Sequence, residues 1–311
     1  MVSWFRPVSR RFHRPLATVV ALSAMVAPAA CGGTGQSPVI PAAAASAPSA
    51  SRKPAQRLAV AEYDRIVVLD SSYQPLQTIT QGLNVPGCLA YDRHENLYAP
   101  NAEGANITEY DPKGRLTFTY STDLVEPGCI TTDASGNVFA SDFNHNTPSV
   151  VVEYPQKSNT PLASCSTGLA NGGIAVDSNG DVFVSGNNRK TGAANILEYK
   201  GGLGRCHAKK LYVTLSFGMG MRLDKSDDLV VADQQCCVEI IPPPYDSIGS
   251  IITGPSLPTE LALTKSDGLI YIVDAGGGDI WVKTYPKGRP VAILGSSNGL
   301  SGPQGVAAFP L

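Results

Sequence analysis

Gly173-Ile-Ala-Val-Asp177-Ser-Asn-Gly-Asp-Val-Phe-Val-Ser-Gly186 reads as a short apolar strand ending in Asp, a polar turn and a second apolar strand. Ser-Asn-Gly between two apolar runs is turn chemistry, so the stretch is a β-hairpin. The same text returns along the chain. Upstream it stands as Cys88-Leu-Ala-Tyr-Asp92-Arg-His-Glu-Asn-Leu-Tyr-Ala-Pro-Asn101 and Cys129-Ile-Thr-Thr-Asp133-Ala-Ser-Gly-Asn-Val-Phe-Ala-Ser-Asp142. Downstream it is Gly220-Met-Arg-Leu-Asp224-Lys-Ser-Asp-Asp-Leu-Val-Val-Ala-Asp233. A fifth copy, with one inserted residue, runs from Glu260 through Thr264 to Asp274.

The turn-opening residues Asp92, Asp133, Asp177, Asp224 and Thr264 follow one another at intervals of 41, 44, 47 and 40 residues. A repeat of roughly 40 to 45 residues built from β-hairpins is the size of a four-stranded propeller blade. Each copy supplies the remaining strands: Ile107–Tyr110, Val152–Tyr154, Ile196–Tyr199, Val238–Ile241 and Val282–Tyr285 as the third, then short fourth strands such as Leu116–Tyr120 and Val291–Leu294. The two ends complete the count. Pro303–Phe309 reads as the first strand of a sixth copy, and Arg65–Asp70 with Leu76–Ile79 reads as its remainder. Residues 57–311 then divide into six units of 42.5 residues. The expectation is an all-β, six-bladed β-propeller of four-stranded blades, closed by sharing one blade between the N- and C-terminal strands.

The text Gly-Ile-Ala-Val-Asp-x-x-Gly-Asp-Val-Phe-Val resembles the NHL repeat and the related gluconolactonase-like and streptogramin-lyase-like bacterial propellers, across residues 57–311. The resemblance implies innermost strands arranged around a central channel. It implies no single function, because this architecture serves binding, enzymatic and scaffold roles alike.

Ahead of the repeats lie two segments of different character. Arg6, Arg10, Arg11 and Arg14 precede an apolar run from Leu16 to Val26, and no acidic residue occurs before Glu62. That layout is a secretory signal peptide over residues 1–30, and a run of about a dozen residues is shorter than the roughly 20 of a membrane-spanning helix. Two cleavage readings stand. Ala27-Pro28-Ala29 suits ordinary signal peptidase, whereas Pro28-Ala29-Ala30-Cys31-Gly32-Gly33 resembles a bacterial lipobox, which implies lipidation of Cys31. Residues 31–56, rich in Ala, Pro, Ser and Gly, read as a disordered tether. The expected address is exported, as a cell-envelope lipoprotein or a secreted protein, touching the membrane through a lipid anchor only.

Composition narrows the partners. Charged residues make up 16% of the chain, while 31 Gly and 24 Pro favour turns over long helices. Without residues 1–30 the chain keeps 20 basic against 26 acidic residues, so nucleic acid is excluded as a partner. A monomer is expected.

If first strands run down the channel and second strands return, Asn101, Asp142, Asn187, Asp233 and Asp274 end on one rim, with His145 three residues beyond Asp142. Polar groups converging there could bind a peptide, a sugar or a divalent cation, calcium or zinc. The competing reading is structural, since Asp or Asn at a strand end caps backbone N–H groups. Asp92, Asp133, Asp177 and Asp224 read as turn residues of the opposite face. A gluconolactonase-like metal site would draw acidic and amide ligands from inner strands, where Glu260 is one candidate. No cofactor is identified and no catalytic residue can be assigned.

Six cysteines follow Cys31, an even number that suits disulfides in an exported domain. Cys88 and Cys129 occupy the same repeat position, each after Pro-Gly, and form the candidate bond between adjacent blades. Against it stands a strand separation close to the roughly 7 Å limit on Cα atoms. For Cys236 and Cys237 a direct bond, separate partners and a redox-sensitive turn are all open. Two functions follow: a binding module for a protein, peptide or glycan, or alternatively a metal-dependent hydrolase (lactonase-like) or lyase acting in the channel.

Overall fold

The computed structural model describes residues 56–144 and 148–310. Among these residues, 24 strands form six four-stranded antiparallel sheets. Blade 1 comprises Arg57–Ala61, Ile66–Leu69 and Pro75–Ile79, with Gly305–Phe309 as its innermost strand. The pairing of the two chain ends runs from Arg57 opposite Phe309 to Ala61 opposite Gly305. The other blades follow chain order from the inside outward. Their innermost strands are Ala90–Tyr91 in blade 2, Pro127–Thr132 in blade 3, Leu169–Val176 in blade 4, Gly218–Leu223 in blade 5 and Pro258–Leu263 in blade 6. These six inner strands touch one another in sequence around a closed circle.

Why the strands read as almost continuous apolar runs follows from this geometry. Alternate side chains of a strand point to opposite faces, and each blade is covered on both faces by its neighbours. In Ile66–Leu69, Val67 and Leu69 enter the core between blades 6 and 1, whereas Ile66 and Val68 enter the core between blades 1 and 2. In blade 2, Leu97 and Ala99 pack toward blade 1 while Tyr98 packs toward blade 3. Six such clusters fill the six gaps.

The hairpin turns are held by the residues that open them. Asp92 Oδ1 accepts from the backbone N–H of His94 and Asn96 at 2.8 and 2.9 Å, and Asp133, Asp177 and Asp224 repeat the arrangement. Thr264 does so through its hydroxyl, which accepts from Gly268 and Leu269 across the one-residue insertion. These are Asx and ST turns, in which a side-chain oxygen stands in for a backbone carbonyl.

In blades 3 to 6 the pairing of first and second strands slips near the start of the first. Such bulges re-aim the side chains beside them. In blades 3 and 6 the slip falls immediately before Cys129 and Glu260.

Candidate functional site

The inner ring has two unlike ends. Where the inner strands begin, the backbones of neighbouring blades meet directly: Cys88 N–H donates to Gly128 O at 3.1 Å. A Cβ on Gly305 would lie 2.1 Å from Gly87 O, and one on Gly173 would lie 2.4 Å from Met221 N. Only glycine allows this approach. Two serines extend the contacts. Ser141 of blade 3 donates to Gly172 O of blade 4, and Ser185 of blade 4 donates to Met219 O of blade 5, each at 2.7 Å. Neither serine stood out in the sequence, although both occupy the place just before the repeat's final position, Asp142 in blade 3 and Gly186 in blade 4.

The predicted rim residues lie at this closed end. Asn101, Asp142, Asp233 and Asp274 are 0, 1, 0 and 3% exposed. Each holds the chain that arrives from the preceding blade. Asn101 Oδ1 accepts from Asn84 N–H at 3.0 Å. Asp142 accepts from Val125 and Glu126 N–H at 2.9 and 2.8 Å, Asp233 from Ser216 and Phe217, and Asp274 from Ser256 and Leu257. This is capping chemistry, and no three acidic groups of this set come within 4.8 Å of one another among the described residues. Asn187 differs: it lies one position beyond the equivalent place, which is Gly186 opposite Asn171, and its Oδ1 is buried without a hydrogen-bond partner. Glu62 fills the corresponding place in blade 1, accepting from Ser301 N–H and from Arg65 Nε. Its partner lies 239 residues away in sequence, so no local motif could have revealed it. His145 and Cys31 lie outside the described residues, as does the tether apart from Gln56.

Burial and hydrogen bonding compete at Asp142 and Asp274. Burial pushes the Asp142 carboxyl up to about 6, although the Val125 and Glu126 N–H groups pull it down. Burial acts on Asp274 as well, but the N–H groups of Ser256 and Leu257 and the Ser256 hydroxyl prevail and hold it below the usual carboxylate range. Nearby in blade 5, burial and then the charge of Asp233 raise Glu239 to about 7.

Inside the ring, Cys88 and Cys129 are joined, with Cα atoms 4.6 Å apart. The blades approach closely enough at this position for the bond between neighbours to form. Cys165 and Cys206 are joined as well, and Cys236 bonds directly to Cys237. Beside the first pair lies Glu260, fully buried and ion-paired to Arg222 at 2.7 Å. Arg222 reaches across the ring, donating to Leu89 O of blade 2 at 2.9 Å. Burial pushes the Glu260 carboxyl up to about 7 against the opposing pull of Arg222.

At the other end the inner strands diverge into a funnel of about 310 Å³. All six blades line it, with walls such as Leu89, Ala175, Val176 and Ala307 and polar groups from Thr131, Arg222, Lys225 and Lys265. The two lysines are exposed at its mouth. Asp224 and Asp267, also in the lining, are engaged: Asp224 with its own turn and the Tyr285 hydroxyl, Asp267 with Lys225 N–H.

Comparison with known proteins agrees with this architecture. No protein-family model matches the chain, and no curated protein matches it in sequence. Solved structures do. A chain of the nidogen/laminin complex superposes with a TM-score of 0.67 at 18% identity, covering 81% of this chain and 98% of that one. A protein of unknown function from Bacteroides caccae gives 0.66 at 14% identity, over 83% and 100%. Streptogramin B lyase gives 0.50 at 13%, over 64% and 65%. At these identities the likeness shows the fold alone: the chain is an all-β, six-bladed propeller.

Proposed function

We propose that the chain is an exported, NHL-like binding module, held at the cell envelope by a lipid on Cys31 and the tether of residues 31–56, that takes a protein, peptide or glycan at the open funnel. The observation that carries this reading is the division of polar groups between the two ends. At the closed end Asn101, Asp142, Asp233 and Asp274 are committed to backbone N–H groups and Glu260 to Arg222. At the open end a cavity of about 310 Å³ presents apolar walls with a few polar groups, the make-up of a ligand site. A metal-dependent hydrolase or lyase would need several free ligands meeting in the channel. Export is supported by the signal-like start of the chain and by three disulfides, which persist in oxidising compartments. Among the described residues, no helix is long and apolar enough to cross a membrane.

The test is binding of the full chain to peptide and glycan arrays beside two funnel variants, Lys225→Glu/Lys265→Glu and Thr131→Trp. Ligands retained by the parent and lost by both variants are expected. No ligand at all, or ligands held equally by the variants, would sink the funnel as the binding face. The anchor is tested separately: Cys31→Ser should move the chain from the membrane fraction to the soluble one.

A further inference from the structure

The Cys88–Cys129 pair and Glu260 form a compact cluster that the binding role leaves unexplained. The Cys129 sulfur lies 3.4 Å from Glu260 Oε2. One carboxylate oxygen and both sulfurs all lie within 4.8 Å of one another, and the three residues are buried. They come from blades 2, 3 and 6, so only the closed ring assembles them. Glu260 Oε1 faces the Arg222 guanidinium as an ion pair but accepts no hydrogen bond. Arg222 also lines the funnel, so its guanidinium connects the cluster to the open cavity.

We propose that this cluster is a redox-gated site for a soft divalent cation, with zinc as the fitting ion. The disulfide form excludes the metal, and the dithiol form binds it through Cys88 Sγ, Cys129 Sγ and a Glu260 carboxylate oxygen. Two thiolates and one carboxylate are a zinc donor set, and three protein ligands leave the fourth tetrahedral position open. Calcium, which takes six to eight oxygens, does not suit these donors. Zinc–sulfur bonds of about 2.3 Å and zinc–oxygen bonds of about 2.0 Å hold tetrahedral ligands roughly 3.5 to 3.8 Å apart. Breaking the S–S bond lets the sulfurs separate toward that spacing, and Glu260 Oε2 already lies 3.4 Å from Cys129 Sγ.

The chemistry balances. Two equivalents of a small-molecule thiol reduce the disulfide, leaving as their own disulfide and delivering one proton to each cysteine sulfur. Zinc then binds the two thiolates and releases both protons to solvent. Charge balances too. In the oxidised cluster the Glu260 carboxylate is matched by Arg222. With metal bound, two thiolates and one carboxylate are matched by Zn²⁺ and Arg222. A buried cluster neutral in both states avoids the cost of an isolated buried charge.

The experiment uses the full chain with Cys236→Ser/Cys237→Ser, which removes the other such cluster among the described residues, Cys236 with Cys237 and Glu239. Oxidised and phosphine-reduced samples are incubated with zinc alone, desalted, and assayed for metal by mass spectrometry. One zinc per reduced chain and none per oxidised chain is expected, with Cys129→Ser abolishing uptake and Glu260→Gln weakening affinity at least about tenfold. Because Cys129→Ser could disturb folding, X-ray absorption of the reduced chain with Cys129 intact gives an independent readout, with two sulfur neighbours expected at about 2.3 Å. A reduced chain that takes no zinc, equal uptake by both forms, or bound zinc without sulfur neighbours would each overturn the site. None of these readouts depends on the funnel ligand.

Discussion

The two ends of the inner ring are made by the same six strands and solve opposite problems. At the closed end, glycines let backbones touch, and a disulfide, an ion pair and a set of buried caps tie neighbouring blades together. At the open end the same strands diverge and leave a cavity. The contrast teaches where substitutions are tolerated. A ring that is sealed by backbone contact has no slack there, whereas the cavity wall already borders space.

The largest expected effect is Gly305→Val at the closed end. Its side chain would have to occupy the place of Gly87 O, and overpacking against backbone costs on the order of 3 kcal/mol or more. Thr131→Val at the open end keeps volume and should change stability by no more than about 0.5 kcal/mol. Denaturant titration of both variants measures the contrast, and equal losses would erase it.

A smaller difference should separate the caps. Asp233→Ala strands the buried N–H groups of Ser216 and Phe217, a loss of about 2 to 4 kcal/mol. Asn187→Ala removes a side chain whose Oδ1 has no hydrogen-bond partner, and should stay within about 0.5 kcal/mol. If thermal melts show the two variants equally damaged, blade 4 is capped in the same way as the others and the distinction fails.

The mildest effect concerns pH. Because burial raises Glu239 to about 7 in the folded chain, the native state binds a proton that the unfolded chain releases nearer 4.5. Its contribution is fully present below about 4.5 and is lost as pH rises through about 7. Glu239→Gln should therefore match the parent near pH 4 and exceed it at pH 8 in denaturant midpoint. A variant weaker than the parent at pH 8 would reverse the assignment.

Much of the architecture was legible because a propeller repeats its chemistry at a fixed period. Asp92, Asp133, Asp177 and Asp224 announce turns through contacts two and four residues away, and such local bonds can be read from adjacent letters. The site was legible only in part. Asn101, Asp142, Asp233 and Asp274 were placed correctly at strand ends, but the sequence left open whether they face a ligand or backbone. Their partners come from the loop that enters the blade, 16 to 18 residues earlier, and burial decided the matter.

By itself, then, the sequence determined the repeat, the number of blades, the hairpin turns and the equivalent repeat position of Cys88 and Cys129. Each depends on short-range spacing or on equivalence between copies. Only the tertiary structure decided that Glu62 caps blade 1 from the opposite end of the chain, that Arg222 spans the ring to Leu89, and that Glu260 meets the disulfide. Those contacts join residues 131 to 239 positions apart, and nothing but closing the strands into a circle brings them together.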